Sequence, residues 1–108
     1  MADPEVQGWL QALAVSEENF NWDKGNSTKI LIKHRISRKQ IESILLREYV
    51  FVGKIVEPFH EEWRGLILGI SVDTQLLALI FTRRNAKLRP ISCRPMRKEE
   101  VKIYYENI

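Results

Sequence analysis

From Leu76 to Phe81 the chain reads Leu-Leu-Ala-Leu-Ile-Phe, with no polar residue to place in water. A strand with one wet face alternates, so this run suits a strand buried on both faces, inside a sheet rather than at its edge. Turn-forming pairs bracket it, Asp73-Thr74 before and Asn85-Ala86 after. The flanking sequence supplies neighbours. Trp63 to Val72 is an extended run interrupted by Gly65 and Gly69, Tyr49 to Val56 is aromatic and β-branched, and Lys87 to Arg94 follows the second turn. Pro90 removes one backbone donor from that last strand. The pattern predicts a meander of about four antiparallel strands.

Helical signals lie on either side. Asp3 caps a helix over residues 4–15 with Pro4 in its first turn, and Val6, Trp9, Leu10, Leu13 and Ala14 recur at helical spacing. Ser16 to Asn19 end it, and Phe20 to Trp22 read as a short strand. Asp23 then caps a helix running to about His34, with Ile30 facing the core. Ser37-Arg38-Lys39-Gln40 has the form of a capping box, followed by an apolar stripe of Ile41, Ile44 and Leu45. Glu99 and Glu100 suit the first turn of a last helix carrying Val101, Tyr104, Tyr105 and Ile108. The fold class is α+β: an antiparallel sheet of about four strands, preceded by two consecutive helices and followed by a C-terminal helix. A chain of 108 residues suits one core, and it contains no internal repeat or low-complexity linker.

Charge is distributed unevenly. Six Lys or Arg and no acid lie between Lys24 and Ile41, and seven more, again without an acid, lie between Thr74 and Lys98. One such run is ordinarily a solvated face; two in a small domain point to a polyanion. The lone Cys93 builds neither a disulfide framework nor a four-ligand zinc site, which fits a reducing cytoplasm. The N-terminus lacks the positive start of a signal peptide, and the apolar stretch from Trp9 to Val15 is too short to span a bilayer. There is no phosphate-cradling glycine loop, no metal-ligand spacing and no partner for Ser92-Cys93 as a nucleophile, so no cofactor, metal or membrane is expected.

Several of these residues also carry a resemblance. Phe20-Asn21-Trp22-Asp23 with Asn26, Lys29, Ile30, Lys33 and His34, then Phe81-Thr82-Arg83-Arg84, then Leu88-Arg89-Pro90-Ile91-Ser92-Cys93-Arg94-Pro95-Met96, and finally Tyr104-Tyr105-Glu106, resemble the BrnT family in order and spacing. The likeness covers about residues 20–106. It divides the chain into an N-terminal helical extension over 1–19 and a toxin domain over 20–108. The sequence departs from the family pattern at Arg35, where Gly is usual, at Gly65, where an aromatic is common, and at Cys93, which replaces a small Ala. The resemblance implies a RelE-like fold and a ribonuclease toxin of a type II toxin–antitoxin pair. It further implies a ribbon-helix-helix antitoxin, operator DNA reached only through the antitoxin complex, and a dimer as one arrangement of that complex.

Metal-independent RNA cleavage needs a base for the 2′-hydroxyl, an acid for the leaving 5′ oxygen, and cations for the charge that develops on phosphate. His34 is the candidate base or acid, against a reading in which it packs or caps between two helices. His60, in the Glu57-Pro58-Phe59-His60 loop, reads as a surface residue. Arg64, Arg84, Arg89 and Arg94 fall on or near neighbouring strands, with Arg64 and Arg94 the leading catalytic pair. The competing reading pairs them with Glu57, Glu61 or Glu62. Lys33, Arg84, Lys87 and Arg89 are the expected RNA-binding residues. Tyr104 is a candidate weak acid or base-stacking group, although tyrosines at helical spacing more often seal a core. Trp9, Trp22 and Trp63 read as core or interface. The alternative function is a module of the same fold that binds antitoxin or nucleic acid without catalysis.

Overall fold

The computed structural model describes residues 3–13, 16–56 and 61–108. Its elements are α1 (Pro4–Ala12), a 3-10 turn (Glu17–Asn19), α2 (Lys24–His34), α3 (Arg38–Ile44), β1 (Tyr49–Lys54), β2 (Gly65–Ile70), β3 (Leu76–Arg84), β4 (Lys87–Pro95) and α4 (Lys98–Asn107). The helix expected over 4–15 stops at Ala12, because Leu13 turns to extended backbone as its C-cap; the Glu57–His60 segment, with His60, lies outside the described residues.

The four strands form one antiparallel sheet in the order β1-β2-β3-β4. The apolar run predicted to be internal is internal. Leu77, Leu79 and Phe81 are fully buried towards one face and Ala78 towards the other. β3 extends beyond the expected Phe81 to Arg84, because Asn85 and Ala86 both take positive φ, at 55° and 62°, and close a two-residue hairpin directly onto β4. β2 ends at Ile70, two residues before the expected Val72, since Ser71 to Gln75 form the next turn. Pro90 is accommodated by a bulge: Ile80 faces Ser92 and Phe81 faces Pro90, leaving Ile91 as the extra residue. The predicted strand over Phe20 to Trp22 is a single parallel bridge to Leu88 on the β4 edge.

Helices cover both faces. Val6 and Leu10 of α1, Ile30 of α2, and Ile41 and Ile44 of α3 join Ile67, Leu77, Leu79, Phe81 and Leu88 in the main core. α3 approaches β2 so closely at Gly69 that a Cβ there would collide with the Ile44 side chain. Across the sheet, Tyr104 of α4 packs on Leu68 and Ala78. Each start signal is realised as a cap. Asp3 accepts from the Glu5 and Val6 amides, and both Asp23/Asn26 and Ser37/Gln40 form reciprocal capping boxes. α2 ends at Arg35, whose φ of 57° and ψ of 38° give it the left-handed conformation that glycine adopts without strain.

Candidate nucleic-acid interface

The sheet register gathers cations at one end of the face that carries α4. Residues opposite each other in an antiparallel pair point to the same side, so the pairs Thr82–Arg89 and Arg84–Lys87 share that face. Continuing the β2–β3 register by one residue sets Arg64 beside Thr82, and the Thr82 hydroxyl donates to the Trp63 carbonyl at 2.6 Å. Arg64, Thr82 and Arg89 thus form a row across three strands, with Arg84 and Lys87 one step beyond. α4 lies over β1 and β2.

Two of the three arginines there are held by acids. Arg84 makes a bidentate bond to Glu62 at 2.8 and 3.0 Å. Arg89, its side chain only 13% exposed, donates to Asn21 Oδ1 at 2.7 Å and pairs with Asp23 at 3.0 Å. The Asn26 amide and the Arg89 guanidinium hold the Asp23 carboxyl below its ordinary value. Arg64 differs. Its Nε is buried and has no hydrogen-bond partner among the described residues. Beside Arg89 a cleft of about 610 Å³ opens between α2 and β4, lined by Lys24, Asn26, Lys29 and Ile91 among others, so the two acid-free stretches of sequence meet at Arg89.

Other site residues expected from sequence lie elsewhere. Arg94 faces Ala78, four residues along β3 from Thr82 and two strands over from β2, which sets its backbone roughly 16 Å from that of Arg64 at ordinary strand spacings. Its guanidinium is engaged by Glu100 of α4 at 2.6 and 3.0 Å, not by Glu57, Glu61 or Glu62. Burial pushes the Glu100 carboxyl up, but the Arg94 bond, the Arg97 amide and their charges prevail and hold it below its ordinary value. Tyr104 is buried, and its hydroxyl donates to the Glu48 carbonyl at 2.8 Å; burial raises its pKa. His34 is half-buried in the last turn of α2, and Lys33 is exposed beside it. Cys93 is buried, its thiol pushed up to about 12 by burial, and is inert as a nucleophile at neutral pH.

Two residues outside the expected set hold this geometry. Asn26 is buried and donates from Nδ2 to the carbonyls of Asn21 and Pro90, at 3.1 and 2.9 Å, pinning the start of α2 to the β4 bulge. Its sequence signals are its place three residues after Asp23 and its part in the family-like run that opens at Phe20, neither of which announces the bond to Pro90. Arg83, on the opposite face, stacks over Trp9 and Trp63 and pairs with Glu5, while Lys54 pairs with Asp3. These contacts fasten α1 to the sheet. Among the described residues there is no group of His, Cys, Asp and Glu that could hold a metal ion, and no helix long and apolar enough to cross a membrane.

Fold and site together define a small α+β domain that presents a row of arginines on an antiparallel sheet. Residues 22–100 match the family described as "Ribonuclease toxin, BrnT, of type II toxin-antitoxin system". The match spans most of the chain, and the protein belongs to that family. A search of curated proteins finds no match. α1 lies wholly outside the matched segment.

Proposed function

We propose that the chain is a metal-independent endoribonuclease toxin, acting in the cytoplasm, whose RNA substrate meets the cationic end of the sheet. A ribbon-helix-helix antitoxin holds it inactive, and operator DNA is contacted through that complex. The observation that carries the reading is Arg64. A buried donor without an acceptor costs about 1–3 kcal/mol, and more when the group is charged, so an unpartnered guanidinium nitrogen beside Arg84, Lys87 and Arg89 suits a ligand that brings its own oxygens. Phosphate matches the guanidinium fork.

In the reaction the 2′-hydroxyl loses its proton to a base and attacks the adjacent phosphorus, while the P–O5′ bond breaks and the 5′ oxygen takes up a proton. The products are a 2′,3′-cyclic phosphate and a free 5′-hydroxyl. Arg64 stabilises charge on the non-bridging oxygens without reorganising. We assign no residue to proton transfer: the Tyr104 hydroxyl is engaged by the Glu48 carbonyl, and His34 stands at the far end of α2, roughly 16 Å along the helix from the end that pairs with Arg89. Arg94 and Tyr104 contribute by fixing α4 against the sheet. A second reading, in which the fold binds RNA or antitoxin without cutting, is favoured by those same internal bonds of Arg94 and Tyr104.

The purified chain, incubated with single-stranded RNA in excess EDTA, is expected to yield cyclic-phosphate ends, and Arg64→Ala to slow the reaction by roughly 10²- to 10³-fold. RNA affinity should fall steeply between about 50 and 200 mM salt as counterions are released. Binding without cleavage by the wild type would select the second reading. Full activity of Arg64→Ala would reject the proposed surface.

A further inference from the structure

The outer side of α2 carries a feature that RNA binding leaves unexplained. Ile32 is 75% exposed and Leu31 52%. With Thr28 and Arg35 they occupy positions i, i+3, i+4 and i+7, one continuous stripe of the helix, pointing away from buried Asn26 and Ile30. Lys29, three residues before Ile32, and Arg35, three residues after it, flank the apolar pair. Both are exposed, and neither has an ion-pair partner among the described residues. No acid lies between Asp23 and Glu42 to offset them.

We infer that this stripe is the docking face for an acidic amphipathic helix of the antitoxin, an inference that rests on the toxin–antitoxin reading above. The argument is one of complementarity. Two aliphatic side chains held in water at the centre of a cationic surface gain little from a polyanion, which rewards only the charge. A helix with an apolar seam between rows of Asp and Glu rewards both: its seam covers Leu31 and Ile32, and its acids meet Lys29 and Arg35 at the rim. Helix-on-helix docking uses the same i, i+3, i+4, i+7 spacing. The stripe is also separate from the row of Arg64 and Arg89, so an antitoxin anchored here can reach over the sheet with the rest of its chain.

The test measures affinity between the full chain and the antitoxin encoded in its own operon, for the wild type, Ile32→Glu, Arg35→Glu and, as a control on α4, Lys102→Glu. Ile32→Glu should weaken binding at least tenfold. Arg35→Glu should weaken it less and reduce its salt dependence, and the control should bind as the wild type does. Melting temperatures should shift by no more than a few degrees, because the Ile32 and Arg35 side chains are exposed. If both α2 variants bind within twofold of the wild type, the docking face is wrong while the toxin–antitoxin reading stands. If the wild type fails to bind the antitoxin, that reading falls and this one with it. Unchanged antitoxin binding with weakened binding to a 20-nucleotide oligouridine would assign the stripe to RNA and overturn the proposal.

Discussion

Replacing Arg94 by Ala should unfold the protein more than it disarms it. The side chains of Arg94 and Glu100 are only 19% and 10% exposed, and two hydrogen bonds join them. Removing one member of such a pair leaves an uncompensated charge, at a cost of about 3–5 kcal/mol. For a domain of this size a loss of 1 kcal/mol lowers Tm by about 4 °C, so Arg94→Ala and Glu100→Ala should each melt roughly 12–20 °C below the wild type. The double variant should lose less than the sum of the two, with a coupling of about 0.5–3 kcal/mol. The pair also sets an acid limit. Because the folded Glu100 carboxyl lies below its ordinary value of 4.5, its stabilisation is complete above that pH and is lost as acid titrates through the lower folded value. Glu100→Gln should flatten that part of the acid unfolding curve. Thermal melts followed by circular dichroism, with RNA cleavage assayed well below each Tm and expressed per folded protein, separate the roles. Shifts under 4 °C in both single variants, or strict additivity, would refute the structural role. Near-wild-type stability with abolished cleavage would return Arg94 to the reaction.

Leu10→Ala, in the helix outside the family match, should cost about 2–5 kcal/mol, because Leu10 is buried in the main core; chemical denaturation would show it, and a change under 1 kcal/mol would mean α1 is dispensable. Arg35→Gly should stabilise the chain by up to about 1 kcal/mol, since glycine adopts the left-handed conformation of the α2 terminus freely; a lower Tm would indicate that the Arg35 side chain is itself holding the fold.

The fold was legible because each element carries a local reason that agrees with its neighbours. Asp3, Asp23 and Ser37 are caps whose side chains bond where their residue types require. Leu76–Phe81 has no wet face and so must be internal. Less legible was the reach of α1. A Val6, Trp9, Leu10 stripe announces an amphipathic helix, but nothing local says that Glu5 and Asp3 will find Arg83 and Lys54, which lie far along the chain. The pairing exists because the sheet's end brings β1 and β3 beneath that helix.

The cationic surface divides in the same way. Strand assignment alone put Arg64, Arg84, Arg89 and Arg94 on or beside neighbouring strands; the register keeps the first three at one end of the sheet with Lys87 and sends Arg94 towards the other. What composition leaves open is which arginine is free. Glu62, Asp23 and Glu100 claim Arg84, Arg89 and Arg94, and each pairing depends on a turn or a packed helix absent from any sequence pattern. Arg94 shows the point best. It sits in the most motif-like stretch of the chain, yet α4 folds back so that Glu100 meets it, while Arg64, in an unremarkable segment beside a glycine, keeps an unpartnered donor. A guanidinium already satisfied by a buried carboxylate must break that bond before it can bind phosphate; one that is half-buried, with a nitrogen lacking any partner among the described residues, has no such bond to break. On that difference the proposed RNA contact is assigned to Arg64 rather than Arg94.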